Sequence, residues 1–219
     1  VALSPLLTAC RGTGATETVP AATTIPTAAP AATLTPTPDP VAGLQGLDIE
    51  TFIEESYRRL LLRAPEQLTF LGLADEYGVR NDQLTDLSDG YTRQTLAMEA
   101  EILELLGHYD PVAFTPEQAL NASIYAWSLD DKVRRHPFLY HNYPVTPFFF
   151  AGVPADLFYL FTEAQPLADL QDAQDYISRL SQVNTQFTQL LDALQRRQAA
   201  GIILPRLLGP DTITYLADM

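Results

Sequence analysis

The sequence predicts an all-α protein: a multi-helix array with one long helix and an aromatic, proline-rich loop, preceded by a disordered tether. From Asp48 onward the apolar residues recur every three or four positions, which is the period of an amphipathic helix. No stretch alternates apolar and polar residues over the useful length of a strand. Several periodic stretches also begin at a capping residue and end at glycine or proline, as helices do.

The first two helices are predicted from their boundary residues. Asp48 is a good N-cap, and Pro65 ends the helix that follows it. A short helix then begins at Pro65, with Gly72 and Gly78 as stops. The residues of the first helix that share its predicted core face are Ile49, Phe52, Ile53, Tyr57, Leu60 and Leu61.

The third and fourth helices carry clearer start signals. Ser88 or Asp86 begins the third helix, and Gly107 closes it. The sequence TPEQ begins the fourth, in which Thr115 is the cap and Gln118 completes a capping box. We expect this helix to run to about Arg134. The residues predicted to face the core are Tyr91, Met98, Ile102, Leu105 and Leu106 in the third helix, and Leu120, Ile124, Trp127 and Val133 in the fourth.

The longest helix is predicted over about residues 170–200, with Gly201 just beyond its end. Its apolar residues alternate steps of three and four, as in a helix packed along a partner at a shallow angle. These residues are Ala173, Tyr176, Leu180, Val183, Phe187, Leu190 and Leu194. We therefore expect this seam to be buried.

The segment HPFLYHNYPVTPFFFAGVP, residues 136–154, contains four prolines and many aromatic residues. Prolines at this density predict a loop rather than a regular helix. Loops are normally polar and exposed, so an aromatic loop is either a buried connection across helix ends or one wall of a substrate cleft. The residues that would form such a wall are Asn142, Tyr143, Phe148, Phe149 and Phe150.

The amino-terminal part has a different composition. Residues 11–46 are dominated by threonine, alanine, proline and glycine, a composition that cannot bury enough apolar surface to fold, so we expect a disordered linker. Residues 1–10 end in LTAC, which resembles the lipobox of bacterial lipoproteins and would be the remnant of a signal peptide. The sequence therefore predicts lipid attachment at Cys10 and a position in the cell envelope, outside the cytoplasm.

Composition excludes several classes of function. The formal net charge of -14 disfavours binding to nucleic acid or to anionic membranes, so contact with a membrane is expected only through the lipid anchor. A single cysteine excludes an internal disulfide. The three histidines, His108, His136 and His141, do not have the spacing of zinc ligands. The residues by themselves therefore assign no catalytic, cofactor-binding or metal-binding position.

Five segments, in order, resemble the amino-terminal half of the bacterial family called domain of unknown function 885. They are SYRRLLLRAPEQLTFLGLADEYG, LTDLSDGY, YPVTPFFFAGVP, DAQDYISRL and GIILPR, and the resemblance covers about residues 50–208. The family is similar to helical zinc metallopeptidases, and its members carry an HExxH-type motif downstream of these segments. This sequence reaches Met219 without that motif, so no zinc ligand or catalytic glutamate is transferred to it.

The resemblance leads to one functional expectation and one alternative. We expect an exported lipoprotein whose helical domain, residues 47–219, is the truncated amino-terminal half of a zinc-dependent peptidase acting on a peptide or protein. Zinc would belong to the full-length protein, and this fragment would be inactive alone. The alternative is a non-catalytic surface lipoprotein that binds a protein or peptide partner through its helices.

Overall fold

The computed structural model describes residues 39–148 and 152–218. Cys10, Phe149 and Phe150 lie outside the described residues, as does the predicted linker up to residue 38. The described residues form seven α-helices: α1 Ile49–Leu61, α2 Pro65–Leu71, α3 Asp89–Leu106, α4 Pro116–Arg135, α5 Val153–Tyr159, α6 Leu170–Ala199 and α7 Gly209–Asp218. The only strand-like pairing in this part of the chain is a single antiparallel bridge between Val145 and Gly152. The all-α prediction is confirmed.

Side-chain caps begin four of these helices. The capping residues of α1, α3, α4 and α6 are Asp48, Ser88, Thr115 and Asp169. At α4 the predicted capping box is complete, because Gln118 N–H donates to Thr115 Oγ1 at 3.2 Å and Thr115 N–H donates to Gln118 Oε1 at 2.9 Å. Each cap satisfies backbone N–H groups that the first helical turn leaves without a partner.

The apolar core lies between α1, α3 and α4. Its most deeply buried members are Leu44, Phe52, Met98, Ile102 and Leu129. Val41 and Leu44 belong to this core although both lie in the predicted linker, so the packed part of the chain begins before residue 47. The ring of Phe52 lies 5.2 Å from that of Tyr109, which adds an aromatic contact at the end of α3.

The predicted core face of α4 is wrong. Leu120, Ile124 and Trp127 are all exposed, Trp127 by 68%. The buried stripe of α4 instead consists of Ala122, Tyr125 and Leu129. Small Ala122 lets the helix approach its neighbours closely, and the hydroxyl of Tyr125 lies 3.0 Å from Ser56 Oγ inside the core. Tyr57 of α1, also predicted to face the core, is exposed as well.

The long helix α6 has the predicted length, but its predicted seam is only partly buried. Leu190 is buried, whereas Leu180 is 51% exposed and Phe187 is exposed too. The other buried residues of α6 are polar: Asp175, Arg179, Gln186 and Arg197. The helix therefore packs through a face that hydrophobic periodicity does not detect.

A short helix, α5, begins inside the segment predicted to be a loop. Pro154 lies in its first turn, where a missing N–H costs nothing. Gly152 precedes it with a φ of 99°, and a Cβ there would lie 2.6 Å from the carbonyl oxygen of Pro144. Glycine thus lets the two arms of the aromatic loop approach, and Val153 N–H donates to Pro144 O at 2.9 Å. A π-helical turn, Leu160–Ala164, follows α5.

Candidate functional site

An extended segment, residues 82–88, lies along α6 and is held there by side chains. Gln182, Gln186 and Gln189 share one face of α6, because their spacing is four and three residues. Their amides bond to backbone groups of Asp82, Leu84, Thr85 and Leu87 at 2.7–3.0 Å. The glutamines thus satisfy backbone groups that a neighbouring strand would satisfy in a sheet.

Arg179 anchors the same segment to the rest of the domain. Its side chain is 1% exposed and donates to Gln83 O at 2.9 Å and to Thr69 Oγ1 at 2.7 Å. It also donates to Pro65 O at 3.3 Å and to Gln165 Oε1. Burial lowers the pKa of Arg179, and nearby carboxylates act in the opposite direction. One guanidinium therefore joins α6, α2, the extended segment and the turn after α5.

Three cavities adjoin one another around Leu87, and we call them together the Leu87 groove. The first, about 220 Å³, lies between α3, α6 and the aromatic loop. The second, about 220 Å³, lies between α2, α5 and α6, and shares Leu87 and Val153 with the first. The third, about 540 Å³, lies between α1, α2, α3 and α4, and shares Leu87 and Thr85 with the second. Because the cavities share lining residues, an elongated ligand can contact more than one of them.

The first cavity contains a carboxylate surrounded by donors. Asp89 accepts hydrogen bonds from the hydroxyl of Tyr140 and from Arg93 Nε, the latter at 2.9 Å, and Arg196 Nη1 lies 3.7 Å away. The bond from Tyr140, followed by that from Arg93, holds the pKa of Asp89 below its ordinary value. Asp89 is therefore a neutralised anion, and it fixes Tyr140 of the loop against α3.

Arg197 joins the aromatic loop to α6 in the same cavity. Its Nε donates to Asn142 O at 3.1 Å and its Nη2 to Asn142 Oδ1 at 2.6 Å. The guanidinium also lies 5.5 Å from the ring centroid of Tyr140. These contacts give the loop a fixed position although it contains little regular secondary structure.

The second cavity contains two carboxylates, Glu66 and Asp156. Glu66 accepts from Thr85 N–H at 2.8 Å, from the Thr85 hydroxyl, and from Gln186 Nε2 at 2.9 Å. Burial, with a smaller contribution from the charge of Glu66, raises the pKa of Asp156. This cavity is therefore rich in hydrogen-bond acceptors.

The third cavity contains a paired carboxylate. Glu99 is buried, and Lys132 Nζ and His136 Nε2 lie 3.1 Å and 3.2 Å from its oxygens. On another wall the guanidinium of Arg63 stacks on the ring of Tyr91, 3.8 Å from its centroid. This cavity thus combines a neutralised acid with aromatic and aliphatic surface.

The predicted cleft-wall residues do not lie together. Asn142 lines the first cavity, and Tyr143 lines a separate cavity of about 190 Å³ beside the end of α6. Phe148 is exposed, while Phe149 and Phe150 lie outside the described residues. Their role as a cleft wall stays a prediction, as does lipid attachment at Cys10.

The described residues do not fit a zinc ion. No group of three or more histidine, cysteine, aspartate or glutamate side chains comes close enough there to hold a metal. His136 contacts a carboxylate, Glu99, but none of the described histidines lines a cavity of the Leu87 groove. We therefore place no zinc ligand among residues 39–148 and 152–218.

Sequence reasoning missed Glu66, Asp156, Gln186 and Glu99 as site residues. Each lies on a helix with other polar residues nearby, and none belongs to a short motif. One pattern in the sequence could have pointed to the interface with residues 82–88. Uncharged polar residues at spacings of four and three lie on one face of a helix, and Gln182, Gln186 and Gln189 have this spacing. That signal alone does not distinguish a solvated face from a buried one.

Among the described residues, no helix combines the length and the apolar character that crossing a bilayer requires.

A family model supports the resemblance found in the sequence. Residues 65–219, more than two thirds of the 219-residue chain, match the model of the family described as bacterial protein of unknown function, DUF885. No curated protein and no solved structure matches the chain. The matched region contains α2 to α7, the extended segment and most of the Leu87 groove. The chain belongs to the DUF885 family of bacterial proteins.

Proposed function

We propose that this chain is part of an exported, lipid-anchored peptidase and that its helical domain binds the peptide substrate in the Leu87 groove. The observation that carries the proposal is the groove itself. Three adjoining cavities, of about 220, 220 and 540 Å³, offer consecutive sites for residues of an extended chain. Binding sites for small and extended ligands are typically concave and apolar, with a few placed polar groups.

The polar groups of the groove are of both signs, which suits a peptide. Arg196 and Arg63 supply donors on two walls, whereas Glu66 and Asp156 supply acceptors on a third. A peptide presents carbonyl oxygens, amide hydrogens and variable side chains, so it can use both kinds of group. The net charge of -14 makes a polyanionic ligand a poorer candidate.

Hydrolysis is the part of the proposal that depends on the family resemblance. The resemblance implies zinc bound through an HExxH-type motif, and no catalytic step is assigned to the residues described above. Their contribution is to bind and orient the peptide. Export and anchoring are supported by the LTAC sequence at Cys10 and by the threonine- and proline-rich tract that follows it.

Peptide binding is tested by filling the groove. Leu87 lines all three cavities, so Leu87→Trp should occlude them, whereas Leu191→Trp places the same side chain on an exposed part of α6. We expect fluorescein-labelled heptapeptides of mixed sequence to bind the wild type and Leu191→Trp and to lose binding with Leu87→Trp, measured by fluorescence anisotropy. Equal binding by both variants would contradict a peptide site in this groove.

Two further measurements separate the peptidase from its alternative. Protein expressed from the complete open reading frame should hydrolyse the same peptides, and a zinc chelator should abolish hydrolysis. Binding without hydrolysis would favour a non-catalytic lipoprotein that captures a peptide or protein partner. Metabolic labelling with an alkyne-bearing palmitate should label the wild type and not Cys10→Ala, and equal labelling would remove the anchor from the proposal.

A further inference from the structure

We infer that the second cavity of the Leu87 groove, lined by Glu66, Asp156 and Gln186, is a subsite for a primary ammonium group. This inference rests on the proposed function, since it names the chemistry of one part of the peptide that the groove would bind. Glu66 and Asp156 contribute carboxylate oxygens to the cavity wall. Two carboxylates alone do not define a site, but Gln186, which lines the same cavity, also has an acceptor atom without a hydrogen-bond partner.

The amide of Gln186 has an acceptor without a partner. Gln186 is 4% exposed and lines the same cavity as the two carboxylates. Its Nε2 donates to Glu66 Oε1 at 2.9 Å and to Thr85 O at 3.0 Å, while its Oε1 is buried and accepts no hydrogen bond from the described residues. Native proteins rarely leave a buried polar atom unsatisfied, so a donor that the described residues do not supply is expected at this place.

The orientation of this amide is fixed by its neighbours. Glu66 Oε1 and Thr85 O are both acceptors, so only the NH₂ group of Gln186 can face them. Reversing the amide would put an oxygen against two oxygens. The unsatisfied atom is therefore an acceptor, and the group that completes the site must donate.

The charge of the cavity favours a cationic donor. The hydrogen-bond donors to Glu66 are the neutral groups of Thr85 and Gln186. Arg179 is close enough to interact with the charge of Glu66, but it does not line the cavity. The raised pKa of Asp156, caused by burial and then by Glu66, agrees with two carboxyl groups that repel each other in the absence of a cation.

The shape of the cavity favours an ammonium group on an alkyl chain. Phe70, Val153 and Leu157 also line it, so methylene groups would contact apolar surface while the charged end reaches the oxygens. A volume of about 220 Å³ is several times the share of one water molecule in the liquid, about 30 Å³. An ammonium group offers three donors and no acceptor, which complements a wall of acceptors.

Two parts of a peptide carry this group, the lysine side chain and the free amino terminus. Three peptides distinguish them: acetyl-Ala-Ala-Lys-Ala-Ala-amide, the same peptide with norleucine in place of lysine, and the norleucine peptide with a free amino terminus. Binding of each to the full chain is measured by isothermal titration calorimetry. We expect a peptide with one ammonium group to bind about tenfold more tightly than the uncharged norleucine peptide, a difference of about 1.4 kcal/mol.

Asp156→Asn keeps the size of the side chain and removes its charge. We expect this variant to lose about tenfold in affinity for the preferred ammonium peptide, and with it most of the preference for that peptide over the uncharged one. Asp75→Asn is the matched control, because Asp75 is exposed and lies outside the groove. A larger effect for the lysine peptide assigns the subsite to a side chain, and a larger effect for the free amino terminus assigns it to the chain end.

The failures of the two proposals are distinguishable. Equal affinity for charged and uncharged peptides would overturn the ammonium subsite and leave peptide binding in place. An unchanged preference for the charged peptide in Asp156→Asn would also overturn it. Absence of binding by all three peptides would overturn both the subsite and the peptide groove.

Discussion

The two main packing regions of this domain are held together by different interactions. Between α1, α3 and α4 the buried side chains are almost entirely apolar, with Phe52, Ile102 and Leu129 at the centre. Between α6 and the extended segment most of the buried side chains are polar, with Arg179 and Gln186 at the centre and the apolar Leu84 and Leu190 beside them. The first region is stabilised mainly by removing apolar surface from water, and the second mainly by hydrogen bonds between buried polar groups.

The two regions differ in how well they tolerate a change of side chain. Apolar contacts tolerate changes of side chain as long as volume is preserved. A buried hydrogen-bond network requires each donor and acceptor to be in place, because an unmatched member costs more than a matched one contributes. We therefore expect the α1–α3–α4 core to determine whether the domain folds, and the α6 interface to determine where the extended segment and the Leu87 groove lie.

The largest effect is expected in the apolar core. Phe52 has no exposed surface, and Phe52→Ala would remove its contacts with the rest of the core, including Tyr109. Phenylalanine-to-alanine changes in cores cost about 3–5 kcal/mol, and we expect a loss in that range from chemical denaturation. Phe158→Ala is the control, since Phe158 is exposed on α5. Similar losses for both variants would contradict the assignment of the core.

The next largest effect is expected at the centre of the polar interface. Arg179→Met would leave four acceptors, on Pro65, Thr69, Gln83 and Gln165, without this donor. We expect a loss of about 2–3 kcal/mol, since hydrogen bonds from a charged group contribute more than neutral ones but are not additive. Hydrogen exchange should accelerate at the amides of residues 82–88 more than in α3.

Arg134→Met is the matched control for that change. Arg134 is exposed and pairs with Asp130 one turn away on α4. Such surface pairs contribute about 0–1 kcal/mol, so the control should be close to the wild type. If Arg179→Met is as stable as this control, apolar packing can replace the network, and the contrast between the two regions would not hold.

A smaller, pH-dependent effect is expected at Asp175 on the same face of α6. Burial opposes its ionisation, but hydrogen bonds from Arg80 and Gln171 outweigh burial and leave the pKa of Asp175 below its ordinary value. A carboxyl group with a depressed folded pKa stabilises the protein above its unfolded pKa, about 3.9, and this contribution is lost as the pH falls through the folded pKa. The advantage of the wild type over Asp175→Asn should therefore be full at neutral pH and shrink below about pH 4. Melting temperatures across this range measure it, and a pH-independent difference would contradict it.

The smallest effect is expected at Leu180. This residue belongs to the seam that the sequence predicts to be buried, but the structure leaves it 51% exposed. Leu180→Gln should change the free energy of unfolding by less than about 0.5 kcal/mol, as surface substitutions do. Leu190→Gln, at the buried position of the same seam, should be clearly destabilising. Equal losses at the two positions would mean that α6 is buried on its apolar side in solution.

The candidate site depends on contacts between residues that are far apart in the sequence. Asn142 lines the first cavity of the groove, and its role in a substrate cleft stays a prediction. Glu66, Thr85 and Gln186 meet in the second cavity although Glu66 is 19 residues from Thr85 and 120 from Gln186. Contacts at such separations depend on how the helices pack, and no local pattern in a single sequence records them.

The sequence by itself determined the class of the fold, the ends of its main helices and the family. Asp48, Ser88, Thr115 and Asp169 begin helices because a capping side chain satisfies N–H groups within three residues of it, which is a local interaction. Helical periodicity from Asp48 onward gave the all-α class for the same reason, since the period belongs to each helix separately.

Only the tertiary structure decided which face of each helix is buried. On α4 the stripe of Ala122, Tyr125 and Leu129 is inside and Trp127 is outside, because a small residue and a hydroxyl with a partner fit the neighbouring helices. On α6 the buried face is mostly polar because the extended segment brings backbone groups that glutamine and arginine can satisfy. Hydrophobicity measures the preference of a side chain for water or for an apolar solvent. It takes no account of the hydrogen-bond partners that stabilise a polar side chain inside a protein.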